Sequence, residues 1–425
     1  MGDISQLSIE DLKTKLEHLQ ETYTSYQAKN LSLDMSRGKP CSEQVDLSKP
    51  MLDLVTSEDE LKTPNGMDVG NYGGIDGIQE AKVMFSKIFE VEPKQVIIGG
   101  NSSLTLMHDS IARAMLFGVN GEKPWSQQGK IKFICPTPGY DRHFSLCEWF
   151  GIEMITVNLI EGGPDMDEVE KLVRSDESIK GIWCVPKYSN PTGQVYSDEV
   201  VNRLAQMETK ATDFRIFWDN AYAIHHFSDH PNQLKNIDQA CHEAGHGNRV
   251  FQFASTSKVT FPGAGLSAIA SSPENIESIK SQISFQTIGP DKINQLRHVR
   301  FFEKEGSLEE HMKKHADIIR PKFEKVFERL ELHLHGKEIA TWLKPEGGYF
   351  ISFNTLEGCA KKVVSLAKEA GVVLTGAGAT YPYGNDPFDQ NIRIAPTYPS
   401  LEELHVAIDV LCICVEIVSI EKLLA

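Results

Sequence analysis

Phe214-Arg215-Ile216-Phe217-Trp218-Asp219-Asn220-Ala221-Tyr222 is the stretch on which the reading of this chain turns. Residues 214–218 are largely apolar on both faces of an extended segment, which marks a strand buried in a mainly parallel sheet. Asp219 closes that run, and an acid at a buried strand end is costly unless a cation or hydrogen-bond donor meets it. Working outward, similar runs occur at 95–99 (QVIIG), 131–135 (IKFIC), 154–159 (MITVNL), 181–185 (GIWCV), 250–254 (VFQFA) and 266–270 (LSAIA). Most are separated by longer amphipathic stretches. The alternation predicts an α/β fold, with a seven-stranded, mainly parallel sheet between helices in a large domain over 51–300. In such sheets ligands bind past the carboxyl ends of the strands.

On either side the pattern changes. Residues 8–29 carry Leu12, Leu16, Leu19, Tyr23 and Tyr26 at helical spacing behind Ser8 and Asp11, so 1–50 reads as a helix and arm packing on the smaller domain. Residues 291–331 form a charged helical pattern, and Gly306-Ser307 and Pro321 predict two or three segments. A smaller α/β domain, 301–425, begins with that interdomain helix, continues with strand-like pieces at 349–353, 372–375 and 392–395, and closes with an apolar helix from Leu401. No low-complexity linker or internal repeat intervenes, so the two domains are expected to pack tightly.

Composition narrows the function. The chain has 425 residues, 40% of them hydrophobic and 24% charged, an ordinary globular mixture. Its 43 Lys+Arg against 59 Asp+Glu leave a net charge of −16, which argues against nucleic acid or an anionic membrane surface as a partner. The opening MGDISQLSIEDL lacks the basic and apolar regions of a signal peptide, so a cytoplasmic location is expected. The eight cysteines include no CxxC pair and several sit in apolar runs, which predicts reduced packing thiols.

The unusual residues fall where the strands end. Gly99-Gly100-Asn101-Ser102-Ser103 follows one strand and opens a helix, which suits either a phosphate seat or a plain capped start. Pro186-Lys187-Tyr188-Ser189-Asn190-Pro191-Thr192-Gly193 follows the next candidate edge and could be only a β-turn. Ser255-Thr256-Ser257-Lys258 follows the strand after Asp219, and a lysine beside an apolar strand end is uncommon.

Asn190, Asp219 and Lys258 at successive strand ends resemble the fold-type-I pyridoxal-phosphate enzymes of the class I/II aminotransferase family. The resemblance spans about residues 31–415. It also rests on Tyr72 in NYGGIDG, Tyr140 in PTPGYDRH, Tyr222 in WDNAY, the KPEGGYF segment and Arg393 in NIRIAPTYP. The wordings SRGKP, PTPGYDRHF, PKYSNPTG and TIGPDKINQLRHVRFF are similar to a bacterial subgroup of aspartate aminotransferases related to the MocR regulators.

The resemblance implies pyridoxal 5′-phosphate as cofactor and a catalytic set of Lys258, Asp219 and Tyr222. Lys258 would carry the cofactor as a Schiff base and move the proton at the substrate α-carbon. Asp219 would pair with the pyridinium nitrogen, and Tyr222 and Asn190 with the phenolic oxygen. Tyr140 would stack on the ring. Gly100, Asn101, Ser102, Ser103, Ser255 and Ser257 would hold the phosphate. Tyr72 would reach the neighbouring subunit's cofactor, implying a homodimer with shared sites. Arg393 would clamp the substrate carboxylate bidentately, with Gly38, Asn190 and Arg37 beside it.

The implied reaction is amino transfer from L-aspartate to 2-oxoglutarate, with aromatic or aminoadipate transamination, decarboxylation and elimination as alternatives on the same scaffold. A second cation for the distal carboxylate could be Arg37, Lys39, Arg142 or Arg297. One departure stands out. The family's usual arginine eight residues after the lysine is absent, since Leu266 and Ser267 occupy that region; Lys292 or Arg297 of the partner are candidate substitutes.

Three further motifs point elsewhere. His242-Glu243-Ala244-Gly245-His246 matches the zinc-hydrolase HExxH pattern, but Gly245 and Gly247 read as a helix end, and no metal is expected. Gly376-Ala377-Gly378 imitates a dinucleotide turn without its third glycine or following helix. His225-His226 reads as a pair of ordinary wall residues. A cofactor-binding regulator would need a DNA-reading domain, for which the leader of about 30 residues is too short.

Overall fold

The computed structural model describes residues 3–119 and 121–425; Met1, Gly2 and Asn120 lie outside the described residues. All seven apolar runs form strands of one sheet, which a two-residue edge strand, Gly163–Pro164, extends to eight. In spatial order they are Val96–Ile98, Ser267–Ala270, Val250–Ser255, Arg215–Asp219, Ile179–Cys184, Lys132–Thr137, Glu153–Ile160 and Gly163–Pro164. The five from Val250–Ser255 to Glu153–Ile160 run parallel, and Ser267–Ala270 is antiparallel to both neighbours. Ile179–Cys184 and Arg215–Asp219 are buried at every position, because helices cover both faces. The parallel register sets Asp219 beside Phe253, so Asp219 and Ser255 end their strands at the same edge.

Ala340–Trp342, Ile351–Thr355 and Asn391–Ile394 form a separate antiparallel sheet, and Leu33–Met35 pairs parallel with Val372–Leu374. Against these packs Leu401–Leu424, buried over most of its circumference, which accounts for its nearly continuous apolar sequence. Ser400 opens that helix, accepting from the Glu403 N–H while the Glu403 carboxylate accepts from the Ser400 N–H. The leader helix Ile9–Gln27 lies on it, tied by Lys15 to Glu416 (2.9 Å), while Tyr23 Oη donates to the Leu366 carbonyl (2.8 Å) of the neighbouring helix Ala360–Glu369.

The charged pattern breaks at one of its two expected places. Lys292–Lys304 and Leu308–Leu334 are separate helices, but Pro321 lies within the second and does not interrupt it. The carbonyl four residues before a proline loses its helical partner; here that residue is Asp317, on the exposed face, where water can replace the bond. All eight cysteines are buried and unpaired. No helix among the described residues is long and apolar enough to cross a membrane.

Candidate active site

The carboxyl edge of the parallel strands meets the Ile351–Thr355 and Asn391–Ile394 strands around a cavity of ≈ 480 Å³. Arg37, Gly38, Tyr140, Tyr222, Lys258 and Arg393, all singled out in the sequence, line it. Asn190 borders the same group through Arg393, whose Nη1 donates to Asn190 Oδ1 at 3.2 Å.

Asp219 has the partner that its burial demands. Its Oδ2 accepts from His143 Nε2 at 3.0 Å, with both side chains almost fully buried. A carboxylate oxygen only accepts, so Nε2 of His143 carries the hydrogen. The imidazole stacks on Trp183 (centroids 4.2 Å apart, planes 8° apart) and meets the edge of Tyr140. Sequence reasoning missed His143; its only signal was its place three residues after Tyr140. The other carboxylate oxygen, Oδ1, is buried without a partner, and so is the amide Nδ2 of Asn190. Burial pushes the Tyr222 hydroxyl well above its ordinary range, with Tyr140 and Asp219 adding to the effect.

Lys258 is partly buried in the cavity wall, and desolvation pushes its amine below the ordinary lysine value, against the pull of Asp219 and with the help of Arg393. Its Nζ sits 5.4 Å from the Tyr222 ring centre and 5.8 Å from that of Tyr349. Behind it, side chains hold the backbone. Tyr349 Oη donates to the Lys258 carbonyl (3.3 Å) and His311 Nε2 to the Val259 carbonyl (2.9 Å). His315 Nε2 lies 3.0 Å from His311 Nε2. The Gln44 amide donates to Tyr349 Oη (2.8 Å) and lies 3.0 Å from His315 Nδ1.

These imidazoles must stay neutral. Burial pushes His225 and His315 down to about 3, and pushes His311 down as well. Because the folded values lie below the unfolded one near 6.5, the unfolded chain takes up these protons first, so stability falls as the pH drops below 6.5. Each neutral imidazole steepens that loss by up to ~1.4 kcal/mol per pH unit. His315→Asn is expected to flatten the acid limb of a plot of Tm against pH; an unchanged slope would contradict the assignment.

The Gly99–Ser103 turn sits at a helix start, with two groups of the Ser255–Ser257 segment beside it. Ser102 is the N-cap of the helix Ser103–Phe117, yet its hydroxyl makes no capping bond and remains available. Ser257 Oγ donates to the Asn101 carbonyl (2.9 Å), and Ser255 ends the adjoining strand. At Gly100 a side chain would meet only open space. Leu266 faces the core and Ser267 donates to the Gly100 carbonyl (2.8 Å), so neither brings a cation. The buried ammonium of Lys292 holds the carbonyls of Asn71 (2.7 Å) and Gly73 (2.8 Å) in its own chain. That grip presents Tyr72 outward, 79% exposed and away from the cavity lining.

Arg393 is held from several sides. Its Nη1 pairs with Asp141 (2.8 Å), and the guanidinium lies 4.8 Å from the Phe350 ring centre. Gly38 permits that stacking, since a Cβ there would meet Phe350 Cζ at 2.6 Å. Asp141, Phe350, Thr375 and Gly376 were not singled out as site residues, and Thr375 and Gly376 belong to the wall rather than to a dinucleotide turn. Arg37, Lys39 and Arg142 also line the cavity, whereas Arg297 is absent from its lining and bonds Asn294 on its own helix.

The HExxH helix ends at Glu243, which leaves His246 outside it, with Nδ1 bound to the Ala205 carbonyl (2.8 Å). His225 is buried beside Tyr222 and Tyr349, and His226 contacts Tyr188 Oη (2.8 Å).

A family model described as aspartate amino-transferase matches residues 7–425. An aspartate aminotransferase of Corynebacterium glutamicum is 45% identical over 413 residues, covering 97% of this chain and 94% of that protein. The crystal structure of an aspartate transaminase from the same organism superposes with a TM-score of 0.96 at 43% identity, covering 99% of each chain. An α-aminoadipate aminotransferase from Thermus thermophilus shares the fold at 18% identity, with a TM-score of 0.75 over 94% of this chain and 95% of that one.

Proposed function

The chain belongs to the aspartate amino-transferase family, and on that premise we propose that it moves the amino group of L-aspartate to 2-oxoglutarate, with pyridoxal 5′-phosphate held at Lys258. The residues present fit that group. An anionic oxygen, Asp219 Oδ1, and an amide donor, Asn190 Nδ2, are buried without partners; a ring with a protonated nitrogen and a phenolic oxygen would satisfy both. When bound, the cofactor supplies an aldehyde for the amino group and a protonated ring that draws electrons from the substrate α-carbon.

The chain's own groups do the rest. Asp219 keeps the ring nitrogen protonated, while His143 fixes the carboxylate in place. Tyr222 and Asn190 would donate towards the phenolic oxygen, and Tyr140 would cover a ring face. The amides and hydroxyls at Gly100, Asn101, Ser102, Ser103, Ser255 and Ser257 would cradle the phosphate, the Ser257 hydroxyl turning from the Asn101 carbonyl to do so. Burial favours the neutral amine of Lys258, which can take a proton from the α-carbon and return it. Arg393 binds the α-carboxylate beside Gly38.

The observation that carries the dicarboxylic substrate is the basic wall: Arg37, Lys39 and Arg142 line the cavity besides Arg393. Lys39 has Asp34 at 3.6 Å, so Arg37 and Arg142 are the better placed for the distal carboxylate. We assign 51–300 to a cofactor domain and 301–425 to a smaller domain in a cytoplasmic homodimer, with Tyr72 serving the partner's site. The bond from Gly73 N–H to the Ile288 carbonyl brings Ile288 (66% exposed) beside Tyr72, with Phe285 (95% exposed) close by in sequence, a rim suited to a second copy.

A screen of amino donors against 2-oxoglutarate tests the substrate. Aspartate should give the highest kcat/KM for glutamate formation; preference for an aromatic donor or 2-aminoadipate would contradict the assignment. Arg393→Lys is expected to raise KM for aspartate by about 10–100-fold, the worth of one charge-assisted hydrogen bond. Steady-state kinetics check this.

A further inference from the structure

At the opposite edge of the sheet, where the strands Arg215–Asp219 and Val250–Ser255 begin, lies a second cavity of ≈ 220 Å³. Arg215, Arg249, His246 and Asn248 are among its lining residues. It is separated from Asp219 by four residues of strand, roughly 13 Å. Both arginines are buried, Arg215 to 2% and Arg249 to 7% exposure.

Their hydrogen bonds leave them without a counter-charge. Arg249 Nη1 donates to the carbonyls of Ala205 (3.0 Å) and Met207 (2.8 Å), at the end of the helix Asp198–Gln206. Arg215 Nη1 donates only to the Phe214 carbonyl (2.8 Å), and its Nε and Nη2 have no partner. Asp213, close by in sequence, is already committed, with Oδ1 on Lys180 (2.7 Å) and Oδ2 on Trp125 Nε1 and Gln128 Nε2 (2.9 Å each). Glu274 and Glu122 accept from Asn248 (2.6 Å) and Thr212 (2.8 Å) and pair with neither arginine. Burial pushes Arg215 down to about 10, Asp213 opposing that and Arg249 adding to it. A buried cation without an anion is expensive, and a second beside it raises the cost.

We propose that this cavity is a second anion site, taking a small oxyanion, either a tetrahedral phosphate or sulfate or a short dicarboxylate, against Arg215 and Arg249. It shares no residue with the cavity at Lys258.

The test uses the holoenzyme in a chloride-free buffer, with Tm followed against phosphate, sulfate and succinate. A saturable rise in Tm is expected, and Arg215→Met should weaken the responsible affinity at least tenfold. The same substitution removes an unpaired buried charge, so it should raise the Tm measured without anion and leave kcat unchanged. Arg393 can also take an oxyanion, so location is read separately, from crystals soaked in selenate or succinate. Density at Arg215 and Arg249 supports the site, and the soak that gives it identifies a tetrahedral or a dicarboxylate ligand. Absence of density there in both soaks, or an anion response intact in Arg215→Met, overturns the proposal. Should Arg215→Met not fold, the soaks of the unsubstituted enzyme decide.

Discussion

Lys258→Ala is expected to abolish turnover, lowering kcat by at least ~10⁴-fold, the upper range of what one placed acid–base group supplies. It should also remove the visible absorption of the lysine-linked cofactor. The expectation follows from place and environment. Lys258 lies three residues past the end of the strand Val250–Ser255, in the cavity wall, with its amine pushed down by desolvation. No other lysine lines the cavity except Lys39, which has Asp34 beside it. A lysine with a depressed folded value destabilises the protein wherever the unfolded chain would be protonated, so stability attributable to this group falls as pH falls. Lys258→Met should therefore fold with an undiminished Tm in the absence of cofactor. A loss of folding together with activity would show that the lysine is chiefly structural.

Asp219→Asn is expected to separate binding from chemistry. The amide keeps the shape and can still face His143, but it cannot supply the charge that holds a ring nitrogen protonated. A fall in kcat of about 10²–10³-fold follows, the size found for removal of one preorganised electrostatic group. The visible absorption should persist, because Lys258 is untouched. Absorption titration and single-turnover kinetics check both halves. His143 lies 3.0 Å from the substituted carboxylate oxygen, so its imidazole NMR resonances should report the change.

These residues differ in how far the sequence revealed them. Asp219 and Lys258 were legible because buried strands announce themselves as apolar on both faces, and a charged residue at the end of such a run breaks the pattern. His143 was not, because its meaning comes from a partner 76 residues away that only the sheet brings to it. The same holds for Phe350 behind Arg393 and for His311 and His315, which read as members of a charged helix but turn inward, to the Val259 carbonyl and to Gln44. Pro321 misled for a local reason, since a helix tolerates proline where water reaches the freed carbonyl. Tyr72 remains separate from the cavity lining within one chain, and its proposed role depends on a second copy.

The most direct test of the account is chemical mapping. Holoenzyme reduced with borohydride, digested and analysed by peptide mass should carry the phosphopyridoxyl group on the peptide containing Lys258. The same treatment of Lys258→Ala should leave no peptide labelled. A label on Lys39, Lys292 or another lysine, or no label on holoenzyme that turns over, would contradict the central claim.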